Sequence, residues 1–540
     1  MVYIVSCAQN SFIKLWDARF GGVGLERLDV LQPTSDGGFL LSGSSTSGIS
    51  GDKTQDNWDT NYVHSDYWIV KIDFEGHLLW DKRFGGLKDD ILHAAQETSD
   101  KGFILGGSSD SDLNGDKTDY SRGSGDYWIV KTDSLGNIIW DKTFGGSNGD
   151  ILTSLQQTFD GGYILGGWSL SDSCDDKSQY NWSSYADFWV VKTDSNGIKQ
   201  WDKRFGGTYI DGLYSIRETP DSGFILGGIS LSGISGDVTQ PNRDSINQTE
   251  DYWIIKIDSI GNYQWDKLYG GNSIEYFSMI QPCKHGGYII SGSSFSGISG
   301  DKSEPNNDSL NSTADFWILK IDSLGGIVWE KTIGGSDYDI NSIPDGNAGS
   351  IFETLDGGYI ISGASSSPIS GDKSETNLGG AQSWLVKIDS MGNKEWDKTI
   401  FSNSSDFCGY VAPSSEGCFA IANWTEAGIG GYKSQSNWGD KDFWILKFCD
   451  STHIGTDDLQ STYFQNIIYP NPAKTFFTIS SIFPFKSTFI NIHNILGEKI
   501  FSAVYGSEPL TVNCEHFPPG IYFISLRTDQ GIIVQKLIKQ

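Results

Sequence analysis

Over most of the chain, apolar residues come in short runs with polar alternation, and each run stops at a cluster of Gly, Asp, Asn or Ser. This spacing predicts β-strands joined by turns: a period of two sends alternate side chains to opposite faces, and the turn residues let the backbone reverse. One stretch resolves into four such strands. NIIWDKTF around Trp140 ends at Gly145-Gly146, and ILTSLQQT ends at Asp160-Gly161-Gly162. YILGGWS follows, then DFWVVKTD, closed by Ser195-Asn196-Gly197. We call these strands a, b, c and d.

The same unit recurs. Trp followed by an acid and usually Lys occurs at Trp16, Trp80, Trp140, Trp201, Trp265, Trp329 and Trp396. A second Trp opens the strand-d run at Trp68, Trp128, Trp189, Trp253, Trp317, Trp384 and Trp444, at successive spacings of 60, 61, 64, 64, 67 and 60 residues. A four-stranded unit cannot bury both of its faces alone, so copies must stack, and radial stacking of such sheets is a β-propeller. Seven copies predict seven blades, with six or eight as the alternatives. Closure is expected through pairing of the segment before Trp16 with strand d around Trp444. The Trp-Asp dipeptide is no sign of WD repeats, whose units are only about 40–45 residues long. The units instead resemble the roughly sixty-residue repeats of large exported bacterial proteins, through DGGYILGG, DYWIVKxD, GNxxWDK and FGG over residues 16 to 449. That resemblance implies a secreted propeller-like array and no particular activity.

Composition agrees with an all-β chain: Gly 66, Trp 19, Tyr 23 and Phe 29 against Met 3. At 540 residues the chain exceeds one ordinary core. The formal charge of −29 argues against nucleic acid as a partner, since phosphate binding needs clustered Lys and Arg. No apolar run approaches the roughly 20 residues of a membrane-spanning helix. Residues 1–8, MVYIVSCA, lack a basic start but offer small residues before Gln9. They read either as a signal-peptide remnant or, with the spacing from Tyr3 to Trp16, as part of a worn strand pair. The seven cysteines include no CxxC pair, which argues against zinc; Cys408 and Cys418 flank a hairpin and form either a disulfide or two buried thiols.

A residue present in every unit has the fold as its first explanation, so the fourteen marker tryptophans are assigned to packing between blades. The recurrent loop Gly-Asp step at Asp52, Asp116, Asp237, Asp301 and Asp372, with Asp176 as a variant, reads as turn capping; calcium is the weaker alternative, because no loop carries the DxDxDG pattern. No other cofactor is implied. With strands alternating in direction, the tight b–c and d–a turns share one propeller face, and the a–b and long c–d loops share the other. Long loops on a rigid scaffold commonly carry function. Five tryptophans depart from the repeat and lie on or near the loop face: Trp58, Trp182 and Trp438 in c–d loops, and Trp168 and Trp424 at ends of strand c. They are the candidate contacts for a glycan or protein ligand, and pinning the loops is their alternative role. Histidines with metal spacing and GxSxG, HExxH and P-loop patterns are missing from the sequence. A carboxylate pair assembled in space, as glycosidases use, has no sequence signature.

After Cys449 the repeat stops and a polar stretch leads to YPNPAKTFFTIS, FINIHNILGEKIF and FPPGIYFISLRTDQGIIVQKLIKQ. Alternation there predicts a small β-sandwich. The segment resembles the type A sorting domain of the type IX secretion system. Tyr469, Pro470, Asn471, Pro472 and Ala473, the turn at Gly497, Gly520 with Tyr522, and terminal Lys536 and Lys539 occupy the places of that family's signature. The resemblance implies passage through the periplasm to the outer-membrane surface or the exterior, with the type IX machinery as partner. The expected division is therefore 1–8, a signal-peptide remnant; 9–449, a seven-unit propeller; 450–465, a polar linker; and 466–540, the sorting domain. The expected function is non-catalytic binding or adhesion, with a secreted carbohydrate-active or other hydrolytic enzyme as the alternative.

Overall fold

The computed structural model describes residues 12–450 apart from 245, 247, 309, 311, 344–345, 348, 379 and 415–417, and residues 468–540 apart from 470–471, 480–487, 495–498, 506–509 and 529–530. The proposed signal-peptide remnant and almost all of the proposed linker lie outside the described residues. The chain separates into two compact units, one of them Phe12–Cys449. Every regular element among the described residues is a strand.

Within Phe12–Cys449 the strands form seven successive antiparallel sheets, apart from a small extra hairpin at Ser342–Ile343 and Gly346–Asn347. The third sheet is typical: Asp150–Gln157, Tyr163–Ser169, Asp187–Thr193 and Lys199–Phe205 pair in that order. This corrects the phase of the repeat. Strand a does not open the sheet of the strand b that follows it; Ile138–Phe144 pairs with Asp126–Thr132 and is the outer strand of the preceding sheet. The reason is local. The d–a turn is a tight hairpin in which Asp133 Oδ1 accepts the Leu135 and Asn137 amides and Gly136 takes φ 75°, so d and a must be ladder partners. The a–b step crosses between sheets.

The seventh sheet, Asp406–Pro413, Cys418–Thr425 and Asp442–Asp450, gets its outer strand from the start of the chain, Phe12–Phe20. Packing runs from each sheet to the next. Tyr67 meets Trp128 with ring centroids 4.9 Å apart, Tyr127 meets Trp189 at 4.7 Å, Phe188 meets Trp253 at 4.8 Å, Tyr252 meets Trp317 at 5.1 Å and Phe316 meets Trp384 at 5.2 Å. Phe443 of the last sheet meets Trp68 of the first at 5.0 Å. All seven strand-d tryptophans are completely buried. The strand-a tryptophans are half-buried and pack edge-on or tilted against the aromatic residue that opens strand c of the next sheet, as Trp80 does on Phe103 and Trp140 on Tyr163.

Cys418 is disulfide-bonded to Cys449, not to Cys408. The two bonded residues lie directly opposite one another on the paired strands c and d. The side chain of Cys408 lies outside the described residues.

The C-terminal unit has two antiparallel sheets, Ile468–Tyr469 with Phe476–Ile479 and Leu510–Asn513, and Lys499–Tyr505 with Thr488–Asn494, Gly520–Thr528 and Gly531–Lys539. Phe477, Val512, Ile490, Ile492, Ile524 and Leu537 share its core.

Candidate functional site

The loop face is built from the a–b turns and the c–d loops. In the c–d loop of the first sheet, Trp58 lies at an unexpected kind of site. Its indole Nε1 donates to Asp116 Oδ2 in the loop of the second sheet at 3.0 Å, and the Arg83 guanidinium lies over its ring at 4.7 Å. Arg83 also donates to Asp116, at 2.5 Å. Trp182 repeats the arrangement with Asp237 and Arg204, and Trp438 repeats it with Asp52 and Arg19. Two other junctions reach the same end differently. Arg122 and Arg243 occupy the loop position of the tryptophans and pair with Asp176 at 3.0 Å and Asp301 at 2.7 Å. Strand a then has Thr143 or Leu268 where the tryptophan junctions have arginine. One arginine therefore serves each of these five aspartates, supplied from the loop or from the strand.

The loop aspartates also hold the preceding a–b turn: Asp52 accepts Gly21 N at 3.2 Å, Asp116 accepts Gly85 N at 3.2 Å and Asp301 accepts Gly270 N at 3.2 Å. Burial pushes Asp52, Asp176 and Asp372 above the usual carboxylate range. A backbone amide and an arginine occupy Asp52 and Asp176, and Gly334 N and the Asn307 amide occupy Asp372. In the last sheet Tyr432 replaces the aspartate.

The five candidate ligand contacts are thus not brought into one site. Trp58, Trp182 and Trp438 each stand at a separate junction, 39%, 50% and 54% exposed. Trp168 sits half-buried in strand c, opposite Ile151 and Phe188. Trp424 is packed against the core shared by the first and last sheets, with the Lys441 amine 4.4 Å from its ring centre. The same c–d loop position also exposes an aliphatic residue in sheet after sheet: Ile49, Ile234, Ile298, Ile369 and Ile429 are 63–71% exposed. A surface cavity of about 500 Å³ between the fourth and fifth sheets is lined by Arg243, Lys267, Tyr269, Asp301 and Leu324, among others. Among the described residues, only Asp73, Glu75 and His77, on an exposed d–a turn, bring three metal-capable side chains together.

Two features missed in the sequence lie beneath this face. The lysine after the Gly-Asp step is buried: Lys53 bonds Ser47 O, Lys177 bonds Ser171 O, and burial pulls both down to about 8. The acid that opens six of the seven strands d is buried too, Asp66 and Asp126 among them. Both were visible as recurring residues, but their burial depends on neighbouring sheets.

In the C-terminal unit, Ala473 is buried and joins the terminal strand, with its N–H on Ile538 O at 2.8 Å and its carbonyl accepting Gln540 N at 2.9 Å, beside buried Lys539. Tyr522 donates to Pro518 O at 2.8 Å, Gly520 starts the strand Gly520–Thr528, and Pro472 is exposed. Pro470, Asn471, Gly497 and the side chains of Tyr469 and Lys536 lie outside the described residues.

Residues 467–540 match the family model of the secretion system C-terminal sorting domain. This domain marks the protein for export by type IX secretion, to the cell surface or beyond. No curated protein matches the chain. Among solved structures, the chain is similar to PorZ, a bacterial surface component of the type IX secretion system of Porphyromonas gingivalis, at 11% identity and a TM-score of 0.39 over 96% of this chain. The chain spans 60% of that protein's length. A Dyadobacter fermentans protein of unknown function is similar at 9% identity and a TM-score of 0.40, covering 81% of this chain and 99% of its own. The Neurospora crassa Pan2 WD40 domain matches at 8% and 0.40, covering 81% and 95%. Likenesses this distant leave architecture and function to be argued from the residues. No helix among the described residues is long and apolar enough to cross a membrane.

Proposed function

We propose that Phe12–Cys449 is a closed seven-bladed β-propeller that acts, once exported, as a non-catalytic binding or adhesion module, and that residues 466–540 form a separate β-sandwich addressed to the type IX machinery. The completion of the seventh sheet by Phe12–Phe20 and the Phe443–Trp68 contact support closure. The observation that carries the binding reading is the row of exposed isoleucines at one loop position. Exposed apolar residues recur at the d–a turns too, at Leu135, Ile260, Leu324 and Met391; what supports the reading is that the isoleucines stand on the long-loop face, beside the exposed tryptophans. The ligand is a glycan or a protein surface, met by these side chains and by the exposed edges of Trp58, Trp182 and Trp438.

No observation favours the hydrolytic alternative, and the carboxyl pairs described below are closed to solvent. A glycan array and a cell-surface protein binding screen with the secreted protein, run beside a hydrolase panel, test the proposal. Binding without turnover is expected; hydrolysis abolished by changing a loop-face carboxylate would overturn it.

A further inference from the structure

Where one sheet meets the next, the acid that opens strand d lies beside the acid that opens the following strand b. The pairs are Asp66 with Asp90, Asp126 with Asp150, Asp187 with Asp211, Asp251 with Glu275, Asp315 with Asp339, and Asp442 with Glu26; in each, the backbone N–H of the strand-b acid bonds the carbonyl of the residue just before the strand-d acid, at 2.7–2.9 Å. Every member is 0–1% exposed. The arrangement repeats closely. One oxygen of the strand-d acid caps its own loop, as in Trp182 N to Asp187 Oδ2 at 2.9 Å and Asn307 N to Asp315 Oδ2 at 2.7 Å. One oxygen of the strand-b acid takes the second glycine of the a–b turn, as in Gly146 N to Asp150 Oδ2 at 2.7 Å and Gly335 N to Asp339 Oδ2 at 2.6 Å. The second oxygen of the strand-d acid is short of donors: no hydrogen bond reaches Oδ1 of Asp126, Asp187, Asp251, Asp315 or Asp442, whereas the second oxygen of the strand-b acid takes a serine hydroxyl, as from Ser230 to Asp211, from Ser294 to Glu275 at 2.9 Å and from Ser45 to Glu26 at 2.8 Å. Two buried carboxylates cannot both stay ionised at such a contact without a large cost.

The seventh junction shows what the site accepts. There strand d opens with Gln382, fully buried, beside Asp406. Gln382 Oε1 takes Leu378 N at 3.1 Å, the role of the aspartate Oδ2 elsewhere. An amide is a neutral group with an acceptor and a donor, as is a protonated carboxyl. Buried lysines interleave with the acids: Lys53, Lys117, Lys177, Lys302, Lys373 and Lys433. In the fourth sheet Val238 stands in their place.

We infer that each of the six acid pairs is a proton-binding site, holding one proton between its two carboxyl groups in mildly acidic solution. Burial agrees in direction, pushing Asp66 and Asp187 up to about 7 and Asp126 up to about 6. The raised carboxyls bind protons in the folded chain that the unfolded chain has lost, so their stabilisation is complete below about pH 4 and is lost as pH rises through about 6 to 7. Lys53, Lys117, Arg83 and Tyr67 face the Asp66–Asp90 pair; Lys117, Lys177, Arg122 and Tyr127 face Asp126–Asp150; Lys177, Arg204 and Asp237 face Asp187–Asp211. Arg243, Lys302, Asp301 and Tyr252 face Asp251–Glu275; Lys302 and Lys373 face Asp315–Asp339; and Lys433 and Arg19 face Asp442–Glu26. Arg19, Arg83 and Arg204 lie 3.5, 3.7 and 3.6 Å from Asp442, Asp66 and Asp187 and favour the ionised form there. Elsewhere, burial holds His93 down at about 3, opposing the trend, while it holds Asp29 up at about 6 and raises Asp52, Asp176, Glu218, Glu250 and Asp372, adding to it.

The test uses the full chain and compares variants, which cancels the other groups. Infrared spectra at pH 5 should show a protonated-carboxyl band that disappears on unfolding and shrinks by about a third in Asp126→Asn/Asp315→Asn. Gln382→Glu should enlarge the band and steepen the fall of the thermal midpoint between pH 5 and 7.5, whereas the double Asn variant should flatten it. A missing band in the unaltered protein, or parallel midpoint profiles in all variants that fold, would overturn the inference. A band that is missing until a chelator is added would overturn it too, since a bound cation would then be doing the proton's work.

Discussion

Trp438, in the last c–d loop, donates its indole N–H to Asp52, in the first, at 3.1 Å. The two residues are 386 positions apart in the chain, and their bond closes the same latch that Trp58 and Asp116 close between neighbours. In the proposed ring the chain's two ends meet inside the seventh sheet, where strands d and a have no covalent turn between them, and there the latch, the pairing of the Phe12–Phe20 strand and the Phe443–Trp68 contact act together.

Trp438→Ala should therefore cost more than Trp182→Ala, although the two side chains are about equally exposed. Loss of the cation–π and indole hydrogen bonds predicts about 1–2 kcal/mol at an ordinary junction, and the closing junction adds easier separation of the terminal strand. Chemical unfolding of both variants measures the difference. Equal losses would mean that closure does not depend on the latch.

If a ligand is found, the triple variant Trp58→Ala/Trp182→Ala/Trp438→Ala should bind it more weakly, and Ile234→Ser/Ile298→Ser should do so without touching the latches. Binding isotherms of both variants at a temperature where each is folded separate contact from scaffolding.

Trp128→Ala removes a fully buried side chain that Tyr67 touches from the preceding sheet. A loss of about 3–5 kcal/mol is expected, read as a lower unfolding midpoint. The half-buried partner in the same sheet, Trp140, should cost less when changed to Ala.

Reducing the Cys418–Cys449 bond, or changing both residues to Ser, should destabilise the last sheet by about 2–4 kcal/mol through the loop it closes. Hydrogen exchange should rise first in Phe12–Phe20 and Asp442–Asp450, the strands of that sheet.

Deleting residues 469–540 should leave a folded propeller in the periplasm of a type IX-competent host, because the address lies in the segment that matches the sorting family. Cleavage of the exported chain is expected between Cys449 and Tyr469, upstream of that segment and downstream of the last strand d. Fractionation and mass spectrometry of full-length and truncated forms, both given a complete signal peptide, check the two outcomes. Truncated protein arriving at the surface as efficiently as the full chain would refute the assignment.

The sequence by itself determined the strands, their turns, the sevenfold repeat, the burial of the strand-d tryptophans and the sorting segment, because each is written in local periodicity or in a contiguous motif. The tertiary structure decided what depends on a partner from another unit. Strand a belongs with the preceding sheet because hairpin hydrogen bonds outrank order within a repeat. Cys418 meets Cys449 because strand register puts them opposite. Trp58, Trp182 and Trp438 break the repeat in sequence yet preserve it in space, since each provides, with an arginine from strand a, the grip on the next aspartate that Arg122 or Arg243 provides alone. The acid pairs stayed hidden for the same reason: Asp126 and Asp150 are ordinary polar residues in two separate runs until the junction buries them against each other and removes the water that would have kept both ionised.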